Sequence, residues 1–512
     1  MAISFRNIPP NLRVPLAYFE FDPSLAGTAT SLQKAVLLGS INTTDPNVTL
    51  EPNHLTEVFS ADQVRALAGI GSALGHQAEA WFRNNASVPL SLLAAEEAPV
   101  WNNLIGSIEW TSGSTDGGVI PLYIGGRLVR IVISGGMDPE QLSRAAAEAI
   151  NADLRVGVVA RAGTDPSDPT VDPEVTVITA AQRGELGRLK IEMALAGAVG
   201  GEIIPAGVGY TITQMPATPG AIPDVLGLLA EIGDAPFDFV LCPWTDANSL
   251  NALREFFNDT SGRWSWVMQL YGHGWCAREG TVGELSAVGN TRNDQHVSIM
   301  GFSNSSTPAD EWMAAYAGQS AGSLIIDPAR PVQALPLIGI RPPPREFRFT
   351  ILERQVLYYD GISATYVTDG EEVYIDRVIT TYRRNVWGAP DDSYLDVETM
   401  YTAQFYARSA RNRILLKFPR HKLASDGTRF GAGQAIVTPK IARAELIAHY
   451  GELEEQGIVE DMDGFERALI VERSATDPNR LNALVSPSFV NQLRIFAVLV
   501  QFRLHGMERV VA

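Results

Sequence analysis

Gly318-Gln319-Ser320-Ala321-Gly322 spells G-x-S-x-G, the spacing that lifts a serine nucleophile out of a tight turn, and His273 and Asp246 stand upstream as a formal base and orienting acid. Together they would be the parts of a serine hydrolase. Known triads do use the order Asp, His, Ser, but a triad is made by geometry and not by order. An elbow also needs a strand running into the serine and a helix leaving it, whereas residues 310–318 read as a helix that runs into the motif. Catalysis through Ser320 therefore stands as an alternative, and no catalytic residue is assigned.

Other reactive groupings fare no better. His54, His76, His273, His296, His421, His449 and His505 never recur at the i, i+3 or i+4 spacing that puts two metal ligands on one helical face. Gly69-Ile70-Gly71 and Gly200-Gly201 lack the spacing and the lysine of a phosphate cradle. Cys242 and Cys276 form no CxxC pair and read as small buried hydrophobes. The pair Glu454-Glu455 reads as a solvated helix surface. No metal and no cofactor are expected.

Charge narrows the partners. The chain of 512 residues carries a net charge of −18, which opposes broad binding to phosphate backbones, so no direct nucleic-acid partner is expected. With 46% apolar and 19% charged residues the composition is that of an ordinary soluble protein, and no run approaches the roughly 18 apolar residues of a membrane span, so no membrane insertion is expected. Met1-Ala2-Ile3-Ser4-Phe5-Arg6 shows no secretory pattern, which places the product in the cytoplasm. One stretch runs against the overall sign. Between Tyr401 and Phe430, Arg408, Arg411, Arg413, Lys417, Arg420, Lys422 and Arg429 oppose Asp426 alone, a net of +6. Such a face suits an acidic partner surface. Two other readings stay open: a solvated helix face, or a helix buried between domains with its arginines paired internally.

Both ends read as detachable strands. Ala2, Ile3, Ser4, Phe5, Arg6, Asn7 and Ile8 precede Pro9-Pro10, and Ile495, Phe496, Ala497, Val498, Leu499, Val500, Gln501 and Phe502 form an apolar run at the other end. A strand with no neighbour at home exposes backbone groups that can extend another subunit's sheet, which points to a polymer. The alternative is that each end edges its own domain's sheet.

Positioning these groups takes at least three units, by the usual size of domains. An extended arm at 1–24 leads into an α/β middle domain, 25–102 plus 216–340. There, strands at 35–39, 88–94, 237–242, 266–271 and 297–301 alternate with helices at 75–84, 250–257, 282–288 and 309–317, the grammar of a parallel sheet covered on both faces. Ser60, with Gln63 three residues on, marks another helix start. Residues 103–215 switch to short strands at 105–110, 119–124, 129–133, 156–160, 175–178 and 210–213 around one helix capped by Asp138 and Pro139. This is an inserted β-rich α+β module, and we expect it to face outward. Pro342 to Pro344 mark a boundary. The α+β domain at 345–492 holds a helix at 349–359, a hairpin about Thr368-Asp369-Gly370, a long helix at 393–418, a helix opening at Thr438-Pro439, and strands at 468–471 and 481–485 about the turn Asp477-Pro478-Asn479-Arg480. A terminal arm, 493–512, follows. The fold class is α/β and α+β multidomain, with a layered α/β core.

Particular segments resemble a known family. Val373-Tyr374-Ile375-Asp376-Arg377-Val378-Ile379-Thr380-Thr381-Tyr382, Tyr394-Leu395-Asp396-Val397-Glu398-Thr399, Arg420-His421-Lys422-Leu423-Ala424, Ile436-Val437-Thr438-Pro439 and Asn491-Gln492-Leu493-Arg494-Ile495-Phe496 look like the tail sheath protein of Mu-like contractile bacteriophages, as does Ile3-Ser4-Phe5-Arg6-Asn7-Ile8-Pro9. The likeness covers nearly the whole chain and is weakest in the inserted module. It implies a non-enzymatic subunit stacked in rings around a tail tube protein, in contact with baseplate and tail terminator proteins, found in the virion and assembled in the host cytoplasm. It also implies that residues 2–8 and 495–502 are the joining arms. The middle domain of this family is often called subtilisin-like, a name for a fold and not for an activity. The basic helix, through Arg408, Arg411, Arg413, Lys417, Arg420 and Lys422, is the expected tube-facing surface. A capsid or compartment shell protein would share the arms and is the remaining alternative.

Overall fold

In a computed structural model that describes residues 33–43, 45–98, 100–163, 172–216, 221–431 and 433–502, the central layer is a six-stranded sheet. Its spatial order is Val297–Phe302, His273–Glu279, Phe239–Leu241, Ala35–Ile41, Leu90–Glu96 and Thr56–Val58. All neighbours pair in parallel except Thr56–Val58, which runs antiparallel at one edge. The strand Ala35–Ile41 is buried at every position, as a continuous apolar run in a doubly covered sheet should be. Its residues alternate between two cores. Ala35 and Leu37 face Leu74, Trp81, Trp312 and Tyr316 of helices Ala73–Asn84 and Ala309–Leu324, while Val36 and Leu38 face Leu228, Leu250, Leu253 and Leu285 on the other side. Trp312 stacks on Phe302 with ring centroids 4.3 Å apart, which ties the long helix to the far edge strand.

The helix starts follow local chemistry. Ser60 caps Ala61–Ala68 by accepting the Gln63 N–H, but the Gln63 side chain reaches back to Phe59 N–H and not to Ser60. Asp138 and Gln141 form a full capping box on Pro139–Ala152, and Thr438 with Pro439 opens Pro439–Glu455. Two further boxes, Thr281 with Glu284 and Thr350 with Glu353, open Val282–Asn290 and Ile351–Tyr359.

Between strands Leu90–Glu96 and Phe239–Leu241 the chain builds a separate body. One antiparallel sheet orders Gly209–Thr213, Asn103–Ser112, Val175–Arg183 and Val158–Ala162; a second orders Arg127–Ile133, Gly118–Ile124 and Ile191–Met193. Helix Pro139–Ala152 joins both in one core through Leu142, Ala146 and Ile150. This body is docked on the central layer by a buried amide. Gln182 Nε2 donates to Ser40 O (2.9 Å) and to Glu97, and its Oε1 accepts Ala73 N–H at 3.1 Å.

Two expectations need correction. Residues 266–271 are not a strand. They are turns, with Gln269 and Tyr271 in the left-handed region (φ 50° and 59°) and Trp266 and Val267 exposed; the strand is His273–Glu279. Nor do Pro342 to Pro344 end the core. Beyond them the antiparallel pair Ala364–Val367 and Val373–Arg377 returns to the layer through a bridge from Ser363 to Met300, and Ile375, Val378, Val397 and Tyr401 join the first core. Prolines forbid local backbone pairing but leave the following chain free to fold back. A smaller core beyond residue 405 gathers Tyr406, Tyr450, Leu453 and Phe465, with Tyr450 stacked on Phe465 at 3.8 Å.

Burial pushes the Glu97 carboxyl up from its ordinary 4.5 to about 7, against opposing bonds from Arg183 N–H and Gln182. Its folded pKa lies above the unfolded one, so its contribution to stability is full below 4.5 and lost as pH rises through about 7. Asp310, buried beside Glu311, is also raised to about 7 and acts in the same direction. Calorimetry across that window should show the melting temperature falling as pH rises, and Glu97→Gln should make the decline shallower.

Candidate functional site

Ser320 lies inside helix Ala309–Leu324, wholly buried, and its hydroxyl donates to Tyr316 O at 2.6 Å. His273 opens a central strand, where Nε2 meets Ser298 Oγ at 2.8 Å and burial holds the imidazole pKa well below its usual value. Asp246 caps helix Ala247–Phe257, accepting Asn248 and Ser249 N–H. Each of the three has its own partners, so no hydrogen bond joins any two of them. The helical setting expected for the serine motif is present.

Arg408, Arg411, Arg413 and Lys417 fall on helix Val397–Lys417, whereas Arg420 and Arg429 lie beyond its end and Lys422 stands in the short strand Lys422–Leu423, so the basic stretch is not one helix; its charges divide into two sets. Arg408 is turned inward: Nη1 pairs with Asp238 Oδ1, Nη2 donates to Leu270 O at 2.7 Å, and the guanidinium lies over the Tyr271 ring at 5.5 Å. Gln404 donates to the same carboxylate, and Tyr401 Oη donates to Asp238 O at 2.9 Å. Asp238 is completely buried, and burial raises its carboxyl pKa, with Arg408 opposing the rise. Arg413 bridges Glu445 and Glu452, and Lys417 lies 3.3 Å from Glu445, tying this helix to Pro439–Glu455. Arg408 thus points inward and Arg413 is shared between two carboxylates, so neither offers an unpaired charge, whereas Lys417 keeps 56% of its side chain exposed. Lys422 Nζ donates to Gln434 at 3.1 Å and stays exposed, and Arg411, Arg420 and Arg429 are exposed with no side-chain partner among the described residues.

At the C-terminal end the last paired strand is Ser488–Phe489, antiparallel to Val459–Glu460. Arg494 is then held from three sides, by Asp396 Oδ1 (2.9 Å), Glu398 Oε1 (2.7 Å) and Gln333 Oε1 (3.0 Å). Past it the chain is exposed. Residues 495–502 form no strand and make no hydrogen bond among the described residues, and their large side chains stand in solvent, Phe496 at 83% and Leu499 at 85% exposure. Residues 2–8 lie outside the described residues.

Sequence reasoning missed Asp238, Gln404, Asp396 and Glu398. Asp238 left one trace, a lone carboxylate within the apolar run 237–242, and the two acids at a helix start left another.

Comparison with known proteins covers almost the whole chain. The family description "Phage tail sheath protein central domain" matches residues 221–381, and "Phage tail sheath C-terminal domain" matches residues 389–503. The chain is 38% identical over 505 residues to the Mu-like prophage FluMu tail sheath protein of Haemophilus influenzae, covering 98% of this chain and all of that protein. Among solved structures, a sheath tail protein of Desulfitobacterium hafniense overlays with TM-score 0.46 at 12% identity, covering 93% of this chain and 100% of that one. A chain of the anti-feeding prophage baseplate overlays with TM-score 0.45 at 10% identity, covering 96% of this chain and 100% of that one.

Removing one partner of a buried ion pair leaves a charge without compensation, which costs about 3–5 kcal/mol. Arg408→Met should therefore lower the unfolding free energy in urea by about that amount. Arg411→Met should change it by less than about 0.5 kcal/mol, the scale of a surface substitution.

Proposed function

The chain belongs to the phage tail sheath family and is a structural subunit of a contractile tail sheath, in which we propose that its two ends join each copy to its neighbours. The observation that carries this reading is the run at residues 495–502, apolar, exposed and without a hydrogen bond among the described residues. Such a segment is suited to adding a strand to the sheet of another copy, where backbone pairing fixes register and alternate side chains fill the surface beneath. Residues 2–8 would do the same at the other end. Contacts of this kind are head-to-tail, so repetition gives an open helical tube in place of a closed particle.

Contraction is then a rearrangement of rigid bodies joined by flexible arms. The extended lattice passes to a shorter, wider and more stable one as new lateral contacts form, and the arms bend at their bases without losing their ladders. The middle domain serves as the rigid part, and its subtilisin-like description names a layout only. Arg411, Lys417, Arg420 and Lys422 remain as the surface that would face the tail tube. Screened contacts of this sort are weak enough to release on firing. The inserted module at 103–215 faces outward in this arrangement. The subunit is a virion component, assembled in the host cytoplasm, with the tube, baseplate and tail terminator proteins as its neighbours.

Removing residues 495–512 should leave a subunit that melts like the full chain but sediments as a monomer, with no tubes in negative stain. Normal tubes from this truncation would reject the arm reading. Separately, Arg411→Glu combined with Arg420→Glu should reduce assembly on purified tail tubes far more than self-polymerisation. Equal loss of both would reject the tube-facing placement.

A further inference from the structure

Two segments far apart in the chain, the approach to strand Ala35–Ile41 and the stretch that follows Ser488–Phe489, are fastened to one helix. At the N-terminal end, Lys34 N–H donates to Asp238 Oδ2 at 3.2 Å, and Asp238 is the carboxylate gripped by Gln404 and Arg408 from the middle of helix Val397–Lys417. At the C-terminal end, Arg494 grips Asp396 and Glu398 at the start of that helix. Asp396 is also held by Arg377 through two parallel bonds of 2.8 Å, and Glu398, fully buried, accepts the Val332 N–H. Two guanidinium groups thus face two carboxylates in a neutral, mostly dry quartet. The forked Arg377–Asp396 pair fixes direction as well as distance, and Arg494 spans both carboxylates from Nη2 and Gln333 from Nη1. From Asp396 to Arg408 the helix rises about 18 Å, at roughly 1.5 Å per residue.

We infer that helix Val397–Lys417 is a strut that carries force between the C-terminal arm of a subunit and its central sheet, with Arg494 as the pin that fixes where that arm departs. The inference rests on the proposed role of that arm and adds the residues through which it pulls. If residues 495–502 are paired to a neighbour, tension on them reaches the subunit first at Arg494, because none of them has a hydrogen bond or ion pair among the described residues. From Arg494 it passes through Asp396 and Glu398 into the helix, and from Arg408 through Asp238 into the starts of three neighbouring segments: Asp238 N–H bonds to Lys34 O, and Asp238 O accepts His273 N–H. A helix loaded along its axis is stiff, whereas an arm attached at an exposed loop would peel one residue at a time. Arg494 is a positioning residue in this scheme, acting through the carboxylates it grips.

The test uses full-length chains assembled into sheaths. Arg494→Met, Arg494→Lys and the truncation of residues 495–512 are compared with the parent chain by three measurements: melting of the free subunit, mobility of a spin label at Ile495→Cys in the versions that retain it, and survival of sheaths through induced contraction. Arg494→Met should free the label at position 495 and reduce the fraction of sheaths that contract unbroken several-fold, with breaks between rings. Arg494→Lys, which keeps the charge and loses the planar guanidinium that reaches Gln333 and both carboxylates at once, should fall between. Unbroken contraction of Arg494→Met sheaths with a label as fixed as in the parent would overturn the pin. If Arg494→Met does not fold, Arg494→Lys decides alone, and an unchanged label and unchanged survival overturn it. Truncation separates the two ideas: polymers from the truncated chain reject the arm itself, whereas loss of polymers on truncation with intact Arg494→Met sheaths rejects only the pin.

Discussion

A carboxylate sealed from water, Asp238, fixes the relation between the central sheet and everything that follows residue 396. Burying an unpaired carboxylate is costly enough that the group would otherwise protonate or pull water inward. Here it receives Arg408, Gln404 and Lys34 N–H, while its own backbone joins Lys34 to His273. The aromatic layer beside it closes the joint: Tyr401 stacks on Phe239 at 5.1 Å and accepts the Trp275 indole N–H at 3.1 Å. A helix held in this way cannot slide or rotate without stranding a charge. Its direction, and hence the exit point of the C-terminal arm, is inherited from the sheet.

The arm itself obeys a different balance. Covering a large apolar side chain contributes about 1.5–3 kcal/mol, and ordering a residue costs about 1–2 kcal/mol in backbone freedom. For an eight-residue segment whose apolar members are spread over both faces these terms are of similar size, so side-chain burial alone does not hold it in one place. Directional backbone pairing with a sheet edge is what would tip the balance and set the register. The same balance explains why the segment finds no place on its own subunit past Arg494. Six of its eight residues are large and apolar, and among the described residues no strand edge of the subunit pairs with it.

Much of this fold was legible because its signals are local. Asp138 before Pro139, Thr438 before Pro439 and the run at 35–41 each state their structure within a few residues. The misplaced strand shows the limit. Residues 266–271 are rich in aromatic and apolar side chains and read as a strand, but left-handed backbone at Gln269 and Tyr271 folds them into turns. The true strand, His273–Glu279, contains no β-branched residue. The charge on helix Val397–Lys417 was equally visible and its use was not. Arg408 finds Asp238 across 170 positions and Arg413 finds Glu452 across 39, and a pairing that distant is set by the packing of whole layers. The exposed apolar end was readable because nothing beyond its own composition was needed to recognise it.

Buried ion pairs are weak arguments for stability, since well-packed apolar residues often hold as firmly. Their value in this molecule lies in geometry. An apolar contact between the helix and the sheet could shear by a fraction of an ångström at little cost, and a population of subunits would then differ slightly in where their arms leave. A helical lattice multiplies such differences, because each ring is placed by the one before it. Forked guanidinium pairs at Asp396 and a sealed carboxylate at Asp238 remove that freedom and confine compliance to the segments beyond Arg494. If residues 495–502 join neighbouring copies as proposed, rigidity inside the subunit and slack between subunits would come from the same few charges, and a contraction driven by new contacts would move whole bodies without dissipating its free energy in deforming them.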